Sequence, residues 1–150
     1  MSLINFSRIA LSVLAVAFFI EIGVSLFATT MTRAREHKEK PSGIHVLSTL
    51  VMRTAALMTT LIALLLTWQN NGVQWAGVLV LVIIPMSVGP EMWFPGKAYD
   101  QARLVLGFLP PRRNQYLERP VVIRVLRGIH LVICISCLVG IVLAVCALSG

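Results

Sequence analysis

Charge and chemically reactive side chains are what this sequence has least of. Only 13% of its 150 residues are charged, six of them acidic, and it holds three histidines and three cysteines. A soluble domain carries about 25% charged residues. No glycine-rich phosphate loop, metal-ligand cluster or nucleophile–base spacing appears. No internal repeat and no stretch resembling a separate soluble domain is present either. These shortages leave few ways to build an active centre.

Apolar residues are abundant, at 57%. They collect in four runs, about Ile9–Thr30, Ile44–Trp68, Val73–Phe94 and Gly128–Leu148. Each approaches or exceeds the roughly 20 residues needed to cross a hydrocarbon core of about 30 Å. Backbone polar groups in lipid must be satisfied within the segment, so the runs should be helices. The first run exceeds the 7–15 apolar residues of a signal peptide and contains an acid, which reads as a retained helix. The expected fold is an all-α integral membrane protein. It is a four-transmembrane-helix bundle of one domain, residues 1–150, with helices at about 9–30, 44–68, 73–94 and 121–148.

The net charge of +7 would suggest nucleic acid in a soluble protein, but its placement says otherwise. Arg33, Arg35, Lys38 and Lys40 lie between the first two runs. Lys97, Arg103, Arg112, Arg113, Arg119, Arg124 and Arg127 lie between the last two. The short connection "QNNG" has none. Basic loops stay in the cytoplasm, which places both long connections there and both termini outside. The economy of the loops suggests a bacterial inner membrane. Trp68 and Trp75 flank "QNNG" as interfacial aromatics do. A reporter active only in the cytoplasm should therefore be active near Glu39 or Asn114 and silent at Asn71 and after Gly150. Activity after Gly150 would overturn the four-crossing arrangement.

Three local features modify this plan. "IIPMSVGPEMWFPG" puts Pro85 and Pro90 inside the third run, and a proline removes one backbone donor and crowds the carbonyl four residues earlier. A kink or partial unwinding is expected there. "AYDQARLVLGFL" puts Ala98, Ala102, Val105, Leu106 and Leu109 at helical spacing. It predicts a short amphipathic cytoplasmic segment on the membrane surface, with Asp100, Gln101 and Arg103 facing away. Ser136, Gly140 and Ala144 recur every four residues in the last run, a small-residue face that lets helices approach closely. Because the third helix is proline-interrupted, the stripe is expected to meet a helix of another subunit.

The candidate site is a pair of opposite charges. Glu21 is nine residues from Thr30, and Arg53 is nine from Ile44. At about 1.5 Å per residue both lie roughly 13 Å from the same membrane face. Each alone would cost about 2.5–3.5 kcal/mol at the centre of a span. Thr49, Ala56 and Thr60 share the face of Arg53, and Ala17, Ser25 and Ala28 lie on or near that of Glu21. A structural ion pair is expected, with a proton or cation site as the alternative. A neighbouring guanidinium favours the ionised acid, which puts the structural role first.

"IEIG" resembles part of the first helix of small multidrug resistance transporters, which would imply proton-coupled export through Glu21. The likeness covers a few residues of one helix. Cys134-Ile-Ser-Cys137 resembles the CxxC of vitamin K epoxide reductase and disulfide-forming membrane enzymes. Those enzymes use further cysteines in extracytoplasmic loops, whereas Cys146 lies in the same run and the loops here have none. The thiols read as packing residues. Haem between His45 and His130 is conceivable because both lie near the same membrane face, but interfacial histidines are the simpler reading, and no cofactor or metal is expected. Arg112, Arg113, Arg124 and Arg127 should touch anionic headgroups on the cytoplasmic side. The expected partners are the bilayer and another membrane protein, or a second copy, with no nucleic acid. These residues suit a non-catalytic accessory subunit of a larger membrane complex, or an immunity-type protein acting on one. A small oligomeric proton- or cation-coupled transporter or channel using Glu21 is the alternative.

Overall fold

The computed structural model describes residues 2–34, 43–69, 72–110 and 119–150. They form α1 (Leu3–Ala34), α2 (Gly43–Leu66), α3 (Gly72–Trp93), α4 (Lys97–Leu106) and α5 (Pro120–Ser149). α1, α2, α3 and α5 are each long and apolar enough to cross a membrane. The chain is a small polytopic membrane protein built as an all-α four-helix bundle. α1 begins six residues before and ends four residues after the span expected from hydropathy, because polar residues at the ends of a membrane helix continue it into the interface.

The helices pack largely in chain order, α1 on α2, α2 on α3 and α3 on α5, while α4 lies against α1. α2 explains the centre. Its buried residues are Val46, Thr49, Arg53, Ala56, Thr60 and Ala63, spaced three and four apart, and buried Thr67 follows in the same rhythm just past its end. On α1, Leu11, Ala15, Phe18, Ser25 and Ala28 keep the same rhythm. That is the seam of a left-handed helix pair, and its small side chains bring the backbones close. Thr60 is fully buried because its hydroxyl donates to Ala56 O at 2.7 Å.

Two polar links fix the register of α1 on α2. Near one end Arg8 donates to Thr67 O at 2.7 Å and lies 4.0 Å from the Trp68 ring centroid. Deeper in, Arg53 Nε meets Glu21 at 2.5 Å. The links are 13 residues apart on α1 and 14 on α2, as an antiparallel pair requires. Arg8 thereby serves a carbonyl at the C-terminus of α2, where helix bonding ends.

Of the kink or partial unwinding expected in α3, unwinding does not occur: the helix continues through Pro85 and Pro90 to Trp93. α4 differs too. Its Gln101 is buried, and its Oε1 accepts a hydrogen bond from the Ser25 hydroxyl of α1 at 3.1 Å. Ala98 and Leu106 are exposed together with Arg103, which does face away as expected. A polar group on α1 calls for a polar partner, and this outweighed the apolar spacing. Gly96 and Gly107 bracket α4, both with positive φ.

Gly140 settles which way one part of the small-residue stripe points. A Cβ built there would lie 3.2 Å from Leu81 Cδ1, so Gly140 packs on α3 within the chain. Ser136 is exposed and Ala144 half-buried, so the three do not form one outward groove. The α3 turn facing Gly140 lies before Pro85, where the helix is regular. Gly140→Leu should therefore cost about 1–3 kcal/mol by overpacking. Thermal unfolding in detergent should show that loss while association with other proteins stays unchanged.

Candidate functional site

A line of polar contacts crosses all four spanning helices. It starts at Glu21 on α1, whose side chain is 46% exposed, and passes to Arg53 on α2, which is 7% exposed. Arg53 also donates through Nη1 to Ser87 O of α3 at 2.5 Å, and its guanidinium lies 5.6 Å from the Phe18 ring centroid. One buried cation thus ties three helices together.

The line continues through backbone carbonyls of the stretch of α3 that holds Pro85 and Pro90. The carbonyls left without a helical amide by these prolines are those of Leu81 and Met86, and the side chains from neighbouring helices reach two others. Ser87 O receives Arg53 from one side. Pro85 O lies 3.0 Å from Nε2 of His130, from α5 on the other side.

His130 is 5% exposed. Its Nδ1 accepts from the Trp93 indole N–H at 2.8 Å. An indole nitrogen only donates, so Nδ1 must be the bare nitrogen and Nε2 carries the proton donated to Pro85 O. The geometry therefore fixes a neutral imidazole of one tautomer. Gly89 permits the approach: a Cβ there would sit 3.2 Å from His130 Nε2 and 3.0 Å from Met52 Cε. Trp93 is held again from α5, where Arg127 lies 5.0 Å from its ring centroid and reaches Trp93 O at 3.5 Å.

The residues expected from sequence fall as follows. Glu21 and Arg53 are brought together. His130 spends both ring nitrogens on α3, so iron would have to displace Trp93 or Pro85, and the His45 side chain lies outside the described residues. Arg112 and Arg113 lie outside them as well. Arg124 is exposed, whereas Arg127 is half-buried against Trp93. Cys134 is half-buried, with Sγ 3.7 Å from His130 Nε2; Cys137 is buried, Cys146 is exposed, and all three are free thiols.

Sequence reasoning missed the Trp93–His130–Pro85 joint. The available signal was polar residues inside apolar spans, His130 and Arg53, each needing a partner on a neighbouring helix. No protein-family model matches the chain, and neither a curated protein nor a solved structure matches it.

Proposed function

We propose that this chain is a non-catalytic accessory or interaction subunit of a larger membrane complex, seated in a bacterial inner membrane. One observation carries the reading: the polar groups inside the spans are spent on one another. Arg8, Arg53, His130 and Trp93 each bind another helix of the same chain, which suits holding a shape and does not suit moving a solute. α5 adds support. Only 6% of its most apolar stretch is buried, against 22–28% for the other three spans. Extraction in mild detergent followed by native mass measurement tests the reading. A stable hetero-complex supports it, and a homo-oligomer or a monomer refutes it.

The transporter reading keeps one specific observation, the half-exposed carboxylate of Glu21. It requires proton or cation flux in proteoliposomes that Glu21→Gln abolishes.

A further inference from the structure

Two arginines in the first turns of α5 have no counter-charge among the described residues. Arg124 is exposed, and no hydrogen bond or ion pair from those residues holds it. Arg127, one turn on, meets Trp93 of α3: its guanidinium lies 5.0 Å from the ring centroid, and Nη2 reaches Trp93 O at 3.5 Å. That is a long hydrogen bond, and Nε has no partner among the described residues. No acid stands in the first turn of α5. Glu91 accepts from the Gly96 amide, and Asp100 is on α4, which packs against α1. Residues three apart on a helix are neighbours, so two like charges stand side by side here. An anion between them would offset that repulsion and accept from both guanidiniums.

Position in the membrane selects the anion. α5 has 30 residues, and at about 1.5 Å per residue it matches a bilayer of about 40–45 Å with its headgroups better than the core of about 30 Å. Its first turns therefore stand in the headgroup layer, where phosphates are, with Trp93 beside them as an interfacial aromatic. Deeper in, the surface continues as a track for an acyl chain. Gly128 is exposed, and a Cβ built there would meet nothing within 4 Å. Leu131 and Ile135 follow at helical spacing, 54% and 62% exposed. A cationic pair, an open notch and an apolar strip, in that order, match the phosphate, glycerol and acyl chain of a phospholipid. We propose that Arg124 and Arg127, with Gly128, Leu131 and Ile135, form a site for one phospholipid of net negative headgroup. A zwitterionic headgroup brings an amine that the arginine pair repels. The site adds to the Trp93 joint and holds whether or not the chain is a subunit.

Quenching of Trp93 by brominated acyl chains tests it. The full chain, with Trp68 and Trp75 replaced by Phe, is placed in phosphatidylcholine vesicles holding a minor fraction of phosphatidylglycerol, with bromine on one lipid or the other. Phosphatidylglycerol should be preferred beside Trp93 by about thirtyfold, as two arginines near a lipid surface imply. Arg124→Gln breaks no contact among the described residues and should cut the preference about fivefold. Arg103→Gln removes the same charge from α4 and should leave it unchanged. Equal quenching by the two brominated lipids would overturn the proposal. An equal fall in Arg103→Gln would make the preference a property of overall charge and overturn it too. So would a preference lost in inorganic phosphate but kept in chloride of equal ionic strength, which marks a site for the free anion. Glu118 lies outside the described residues. A preference that rises in Glu118→Gln as far as it falls in Arg124→Gln would make that acid the partner of Arg124, with the same consequence.

Discussion

Arg53→Ala should cost about 3–5 kcal/mol, as expected when one member of a buried charge pair is removed. Against a typical total of about 5–15 kcal/mol this is a large share. Three losses coincide. Glu21 is left in a span without its counter-charge, Ser87 O loses a donor beside two prolines, and a cavity opens beside Phe18. Glu21→Gln should cost less, because an amide still accepts from Arg53 and the outer half of the side chain is exposed. Unfolding by a denaturing detergent, followed by helix content, measures both. Equal losses for the two variants would mean that the Ser87 contact contributes nothing.

His130→Ala is the second large effect. It removes the acceptor of the Trp93 indole and the donor to Pro85 O, two part-buried contacts. At about 0.5–1.5 kcal/mol for each hydrogen bond, a loss of about 1–3 kcal/mol is expected. With Trp68 and Trp75 replaced by Phe, the emission of Trp93 should shift when His130 becomes Ala, because the indole loses its fixed environment. His130→Gln should restore part of the stability, since its side chain can both accept and donate. An unshifted spectrum with full stability would remove His130 from the joint between α3 and α5.

The part of this structure legible from sequence is the part governed by distance along helices. Four apolar runs and two basic connections give the helix count. Matched spacing from the same connection pairs Glu21 with Arg53, because rise per residue turns position into depth. Contacts that depend on helix rotation and on longer connections were not legible. His130 and Trp93 are 37 residues apart with α4 between them, and no periodicity specifies that α5 turns its histidine toward α3. Gln101 misled for a related reason. Its place in an amphipathic pattern says which residues are polar, but not that Ser25 on α1 offers a hydroxyl to meet one. Gly140 belongs to a small-residue stripe expected to meet another subunit, yet its own neighbour is Leu81 of the same chain, while Ser136 of that stripe is exposed.

The most direct measurement of the line of polar contacts as internal scaffolding is a double-mutant cycle on its first link, Glu21 and Arg53. Glu21→Gln, Arg53→Gln and the double variant are compared by unfolding in one detergent. A structural pair predicts that the double variant is more stable than the sum of the single losses requires, by about 1–3 kcal/mol. Losses that add to within about 0.5 kcal/mol would contradict the pairing and, with it, the claim that these charges exist to hold the helices together.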